Sequence, residues 1–163
     1  MSVNKHQPHI YVLPEDDANA QIADGFLTEP SVAPRKVLVL GNAGGWSRVR
    51  DCFVEDYLPG LKRYLQRHIV LVVDFDQTET RRSQFEKVIP QDVRDRVFVI
   101  GVWSEPEDLK QDFGGYEKLG RRLASDCRGD GDAGNAWNHA LLQHNQPELE
   151  RMRSTPAPIV FDA

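Results

Sequence analysis

The sequence predicts a single α/β domain with a mainly parallel sheet of four or five strands and helices on both faces. Four short apolar segments rich in β-branched residues alternate with segments of helical periodicity. One of them, residues 69–73, is apolar without interruption, as is typical of a strand covered on both faces. Alternation of strands and helices favours right-handed crossovers between parallel strands. We therefore expect an open, Rossmann-like parallel sheet.

Each predicted element is bounded by Pro, Gly or charged residues. Strands are expected at residues 9–13, 36–40, 69–73 and 96–102. Helical periodicity and good helix formers predict helices at 17–27, 46–66 and 78–88, the second of them broken at Pro59–Gly60. After the fourth strand we expect helices at 106–113, 115–126 and 137–153, a turn at 129–132, and an edge strand at 159–161.

Length and composition indicate one globular domain over residues 1–163. The chain is 40% hydrophobic and 28% charged, as ordinary globular proteins are. The four predicted strands and their helices occupy about residues 9–104, and residues 105–163 form a C-terminal extension of helices and the short strand. Two widely separated cysteines make neither a disulfide framework nor a zinc-ligand spacing.

Several functional classes are disfavoured by composition and charge. No apolar segment approaches the roughly 20 residues of a membrane span. The amino terminus also lacks the apolar core of a signal peptide, so we expect a cytoplasmic protein without membrane partners. The net charge of -5 argues against a non-specific nucleic-acid coat protein but is compatible with an enzyme that acts on nucleic acid. Local basic pairs such as Arg81 and Arg82 are interpreted as solvated helix surface.

Acidic residues follow two of the predicted strands. Asp74 and Asp76 come directly after the apolar third strand, and Glu15 follows the first. In open α/β sheets, ligands bind beyond the carboxyl ends of the strands. Like charges beside a low-dielectric core are costly unless a cation or a shared proton compensates them. The pattern therefore predicts Mg²⁺ or Mn²⁺ binding, or acid/base chemistry, at Glu15, Asp74 and Asp76. Helix capping is the structural alternative for residues 15–17; we assign it to Asp17 and leave both interpretations open for Glu15.

A Glu after the first strand and Asp-x-Asp after the third, within a four-strand α/β unit, resemble the TOPRIM domain of topoisomerases, primases and OLD-family nucleases. The resemblance covers about residues 10–104. It implies a Mg²⁺-dependent enzyme acting on nucleic-acid phosphodiesters, with Glu15 as general acid/base and Asp74 and Asp76 as metal ligands. The chain departs from the family pattern by having Pro14-Glu15-Asp16-Asp17 where many members have Glu-Gly. A small nuclease, or a subunit that works with a protein partner, is the form of TOPRIM protein that this chain length fits.

The fourth strand is also followed by acidic residues. OLD-type nucleases often have a further metal-binding acid at this position, which makes Glu105 a candidate for a second cation site. The structural alternative, which we favour, is a helix start with Ser104 as N-cap and Pro106 and Glu107 in the first turn.

A glycine-rich turn follows the second strand. Gly44 and Gly45 precede a helix whose first turn holds Ser47 and Arg48, so these four residues are candidate phosphate contacts. The Lys of a P-loop is missing, because Trp46 and Ser47 stand where Gly-Lys-Ser/Thr is needed. A tight turn without a ligand is the structural alternative.

Two other functions stay open. Asp74-Phe75-Asp76-Gln77-Thr78 also resembles the first motif of haloacid dehalogenase-like phosphatases, in which the first Asp is the nucleophile and the second the acid/base. Ser104 and the acids within 129–132 would then supply later motifs, although two strands precede Asp74 here. The third hypothesis is a non-catalytic interaction module. Nucleic acid and a protein subunit are the candidate partners.

Overall fold

The structure is a computed structural model that describes residues 3–128 and 135–161. Its centre is a sheet of four parallel strands in the order β2, β1, β3, β4. The strands are β1 (His9–Pro14), β2 (Val37–Val39), β3 (Arg67–Val72) and β4 (Val97–Ile100). The predicted α/β class and parallel sheet are confirmed, with four strands in the described part of the chain.

Helices flank this sheet. Those within the described residues are α1 (Asp17–Phe26), α2 (Trp46–Cys52), α3 (Leu58–Arg63), α4 (Thr80–Glu86), α5 (Glu107–Phe113), α6 (Tyr116–Arg128), α7 (Gln146–Ser154) and α8 (Pro156–Val160). None of them combines the length and the apolar character that crossing a bilayer requires.

The two central strands determine where the functional residues lie. β1 pairs with β3 over its whole length, from His9 opposite Arg67 to Pro14 opposite Val72. Because all four strands are parallel, their carboxyl ends meet at one edge of the sheet, which we call the carboxyl edge. The opposite side, where the strands begin, is the amino edge.

Strand side chains alternate between two apolar layers, as a sheet covered on both faces requires. In β1, β3 and β4, odd-numbered residues pack against α2, α3 and α4, in a core that includes Tyr11, Leu13, Ile69, Leu71, Phe53, Leu61 and Phe85. Even-numbered residues of these strands pack against α1, α6 and α8, in a core that includes Ile10, Val70, Phe98, Phe26, Ala124 and Val160. In β2 the numbering is reversed, because Val37 is opposite Ile10. The uninterrupted apolar character of residues 69–73 follows from this double burial.

Helices α1 and α6 pack closely because glycine lies at their contact. A Cβ at Gly25 would clash with the backbone carbonyl of Glu117, and one at Gly120 would clash with that of Ile22. The backbones therefore approach more closely than side chains would allow. This contact holds the start of α1, with Asp16 and Asn19, against the carboxyl edge.

One predicted strand is wrong. Residues 156–160 form helix α8 where an edge strand was expected at 159–161. Pro156 opens this helix, where its fixed φ suits the first turn and its missing N–H costs nothing. The backbone bond from Ala33 N–H to the carbonyl of Val160, at 2.7 Å, links α8 to the residues before β2 without forming a strand pair.

Several helix boundaries differ from the prediction. The irregularity within 46–66 is a π-helical segment at Phe53–Tyr57, ahead of the predicted break, because Pro59 is accommodated in the first turn of α3. The predicted helix at 137–153 is two 3₁₀ turns, Ala136–Asn138 and Gln143–Asn145, followed by α7. The turn predicted at 129–132 lies outside the described residues.

Two predicted caps are also wrong. Asp16, and not Asp17, is the N-cap of α1, since its carboxylate accepts from the N–H of Asn19 at 3.0 Å. Helix α5 begins after Pro106 without a side-chain cap, so Ser104 does not cap it. The segment between β4 and α5 is instead bonded to the C-terminal extension, because Trp103 N–H donates to the carbonyl of Leu141 at 2.8 Å.

Candidate functional site

Glu15 and Asp74 meet at the carboxyl edge. Pairing of the central strands extends one residue past β1, because Glu15 N–H donates to the carbonyl of Val72 at 2.9 Å. Asp74 N–H in turn donates to Oε2 of Glu15 at 2.7 Å. The acids that follow two neighbouring strands are thus connected directly through a backbone hydrogen bond.

Asp76 lies in a different environment from Asp74. The extended chain continues through Phe75, whose N–H donates to the carbonyl of Val102 at 2.9 Å and whose ring is fully buried. Asp76 and Gln77 then adopt φ values of 50° and 57°, in the left-handed region that Asp tolerates better than most residues. The alternation of side chains ends there, and 80% of the Asp76 side chain is exposed.

The predicted metal ligands Glu15, Asp74 and Asp76 therefore do not converge on one point. Within residues 3–128 and 135–161, no three His, Cys, Asp or Glu side chains converge closely enough to hold an ion. Glu15 and Asp74 are together, whereas Asp76 stands at the rim of the site.

Burial and like charges raise the pKa of Asp74 to about 7. The largest cause is burial, followed by the charges of Glu15 and Asp16. Burial also raises the pKa of Glu15, an effect that the N–H groups of Asp74 and Trp46 and the charge of Arg81 partly offset. Near neutral pH Asp74 is therefore protonated in about half of the molecules, whereas a carboxyl alone in water would be ionised.

Asn19 is a site residue that the sequence did not indicate. Its side chain is fully buried, and Nδ2 donates to Oδ1 of Asp74 at 3.4 Å. In the described part of the chain its Oδ1 atom is buried without a hydrogen-bond partner. This buried amide oxygen is a hard donor of the kind that Mg²⁺ and Mn²⁺ bind.

Arg81 connects the acidic loop to two helices. Nη1 donates to the carbonyl of Asp74 at 2.7 Å, and Nη2 lies 3.9 Å from Oδ2 of Asp76. The guanidinium is 4.6 Å from the centre of the Trp46 ring, and only 14% of the side chain is exposed. Arg81 is therefore a functional candidate, and the prediction that it belongs to a solvated helix surface is wrong.

The acid after β4 that acts on Asp74 is Glu107. Its charge contributes to the raised pKa of Asp74. Burial raises the pKa of the neighbouring Tyr116 hydroxyl, and the charges of Glu107, Asp16 and Asp74 add to the effect. The predicted Glu105 is exposed, two residues earlier in the chain.

The glycine turn supports Glu15 from the other side. Gly44 and Gly45 have φ values of 98° and 149°, which favour glycine. Gly44 N–H donates to the backbone carbonyl of Glu15 at 2.9 Å, so this amide is engaged within the protein. The N–H of Trp46, at the start of α2, helps to lower the pKa of Glu15.

The remaining predicted phosphate contacts are Ser47 and Arg48, in the first turn of α2. Arg48 is exposed and Ser47 partly buried. Both lie on the helix whose start contacts Glu15, so they are within the same region of the carboxyl edge as the acids. Gly44 and Gly45 therefore form a tight turn, as the structural alternative expects. Arg48 stays a candidate contact with a phosphate.

A buried Asn fixes the backbone behind the acids. Asn145 is fully buried, and its side chain bonds both the backbone N–H and the backbone carbonyl of Gly101. Its Oδ1 accepts from the N–H at 3.1 Å, and its Nδ2 donates to the carbonyl at 2.9 Å. Gly101 has φ 155°, and a Cβ there would clash with the carbonyl of Val73. His144 donates to the same Gly101 carbonyl at 2.8 Å, and its ring lies 4.7 Å from that of Phe75. The segment that holds Asp74 is therefore held in place from both β4 and the C-terminal extension.

This arrangement can hold a proton, bind a hard cation through oxygen atoms, and present Arg81 or Arg48 to an anion. Comparisons of the chain with protein-family models, with curated proteins and with solved structures gave no match.

Proposed function

We propose that this protein is a TOPRIM-like, Mg²⁺- or Mn²⁺-dependent nuclease that hydrolyses nucleic-acid phosphodiesters at the carboxyl edge. The observation that carries the proposal is the Glu15 and Asp74 pair, in which Asp74 N–H bonds Glu15 at 2.7 Å and the pKa of Asp74 is raised to about 7. A cation would relieve the repulsion that raises this pKa.

The donor atoms suit such a cation. Asp74 and the unpartnered Oδ1 of Asn19 supply buried oxygen, and Asp76 supplies a carboxylate at the rim. When bound, Mg²⁺ or Mn²⁺ would polarise a phosphate oxygen as a Lewis acid. Hard oxygen donors favour these ions over zinc, which prefers nitrogen and sulfur.

The protein residues would divide the remaining work. A water oxygen forms the new bond to phosphorus, and the bond from phosphorus to the leaving oxygen breaks. Glu15, which accepts the Asp74 N–H, would take a proton from the attacking water and pass one to the leaving oxygen. Arg81 and Arg48 would stabilise the charge on the phosphate oxygens.

Cleavage of single- and double-stranded DNA and RNA with Mg²⁺ or Mn²⁺ tests this proposal. We expect metal-dependent cleavage by the wild type and a loss of at least about a hundredfold in Asp74→Asn and Glu15→Gln. Asp92→Asn is the matched control, because Asp92 is an exposed acid in the turn before β4, at the amino edge. Equal cleavage by wild type and Asp74→Asn would overturn the proposal.

The same assays separate the two other hypotheses. A phosphatase with Asp74 as nucleophile would hydrolyse small phosphate monoesters and form a fluoroberyllate adduct on Asp74. A non-catalytic module would show neither activity and no thermal stabilisation by millimolar Mg²⁺ or Mn²⁺.

A further inference from the structure

A buried cation that has no acidic partner among the described residues lies at the amino edge. Arg67 begins β3 and is 6% exposed. Its guanidinium is enclosed by two aromatic rings, 4.1 Å from the centre of Tyr11 and 4.7 Å from that of Tyr64. Its Nε donates to Nε2 of His9 at 3.0 Å.

His9 does not neutralise this charge. Its Nδ1 bonds the carbonyl of Gln7 at 2.7 Å and therefore carries the proton, which leaves the Nε2 lone pair to accept from Arg67. Burial lowers the pKa of His9, and the positive charges of Arg67 and Lys5 lower it further. The imidazole is a neutral acceptor that orients the guanidinium.

Two further cations converge on the same aromatic ring. Lys5 Nζ lies 5.5 Å and Arg63 Cζ 5.3 Å from the centre of Tyr64. Throughout residues 3–128 and 135–161, neither of them nor Arg67 forms a salt bridge with a carboxylate. Three like charges around one ring, one of them buried, repel one another, and contact with aromatic faces offsets only part of that cost.

The end of the guanidinium packs closely against α3 at Gly60. Gly60, in α3, has no side chain, and a Cβ there would lie 2.5 Å from Nη1 of Arg67. The two Nη groups of Arg67 are also without a hydrogen-bond partner within the described chain, although the side chain is held by His9 and two rings. The guanidinium is thus held in one orientation, and no carboxylate of the described chain neutralises its charge. It is preorganised to bind an anion through two hydrogen bonds.

We propose that Lys5, Arg63 and Arg67 form a binding site for a phosphate monoester dianion at the amino edge. Three positive charges exceed the two negative charges of such a group, and the Arg67 fork matches two of its oxygens. The site lies on the opposite edge from Asp74, roughly 20 Å away at about 3.3 Å per strand residue. It is therefore independent of the proposed metal site.

Titration of the protein with inorganic phosphate, followed by the Nε–H resonance of Arg67 in nitrogen-15 NMR spectra, tests this site. We expect a saturable shift of that resonance with phosphate and no comparable shift with chloride at equal ionic strength. Adenosine monophosphate forms the second arm. Tighter binding of the nucleotide identifies a nucleotide as the source of the phosphate, and equal binding identifies the free anion.

Variants distinguish a specific phosphate site from non-specific attraction by positive charge. Lys5→Met and Arg63→Met should each weaken phosphate binding by about three- to tenfold, as expected for one charge contact. Lys62→Met removes another exposed charge from the same helix as Arg63 and should leave affinity unchanged. Gly60→Ala keeps every charge and moves the Arg67 guanidinium, so it should weaken binding while the fold is retained.

Asp74→Asn should bind phosphate at the amino edge as the wild type does. The proposal is overturned if the Arg67 resonance does not move with phosphate, or if Lys62→Met weakens binding as much as Arg63→Met.

Discussion

Replacement of Asp74 by Asn should stabilise the protein above neutral pH. The carboxyl of Asp74 is buried beside Glu15 and Asp16, and its pKa is raised from 3.8 to about 7. Ionised Asp74 therefore destabilises the folded state. Asn has nearly the same shape and keeps its neutral amide at every pH, so the variant loses this repulsion.

The sign and size follow from proton linkage. Between pH values near 4 and 7 the folded state holds one proton more than the unfolded state at this site, so stability falls as pH rises. The slope is about 1.4 kcal/mol per pH unit, and a shift of about three units gives an upper limit of about 4 kcal/mol. Partial solvent access reduces the expected gain in Asp74→Asn to about 2–3 kcal/mol at about pH 8.

Urea denaturation of wild type and Asp74→Asn at several pH values measures this effect. The two proteins should be similarly stable at about pH 4 and diverge towards about pH 8. Asp92→Asn, at an exposed acid far from the site, should follow the wild type. A variant that is no more stable than wild type at high pH, or that keeps the wild-type slope, would refute the electrostatic argument.

Three further predictions concern the same architecture. Asn19→Leu should weaken Mn²⁺ binding by about tenfold, because it removes the unpartnered amide oxygen; an unchanged affinity by calorimetry would exclude this atom as a ligand. Mn²⁺ affinity should rise by up to about tenfold per pH unit up to about pH 7, since the ion displaces the proton on Asp74; a flat profile would contradict this coupling. Gly120→Ala should lower the free energy of unfolding by about 2–3 kcal/mol through its clash with Ile22, whereas Ser125→Ala, exposed on the same helix, should not; equal stability of the two variants in urea would count against the close packing of α1 and α6.

The parts predicted from sequence are those that follow from local pattern and from the geometry of parallel sheets. The apolar run at residues 69–73 predicted a strand because double burial leaves no polar face. Glu15 and Asp74 were expected to meet because the carboxyl ends of adjacent parallel strands share an edge, and the register of β1 and β3 brings them together.

The parts that were missed depend on contacts between distant residues. Asn19 and Asp74 are 55 positions apart, and only the packing of α1 brings them together. The sequence does not reveal the role of Arg81, because its bond to the Asp74 carbonyl depends on how α4 packs against the sheet. Asp76 left the strand pattern because its φ is positive, and residues 156–160 formed a helix because proline is favoured at a helix start.

Direct titration of Mn²⁺, with the free ion followed by electron paramagnetic resonance at about pH 8, tests the central claim that Asp74 is a ligand of a metal site at the carboxyl edge. The account predicts saturable binding to the wild type and to Asp92→Asn, and its loss in Asp74→Asn. Wild-type protein that leaves Mn²⁺ free, or an Asp74→Asn variant that binds it as the wild type does, would contradict the account.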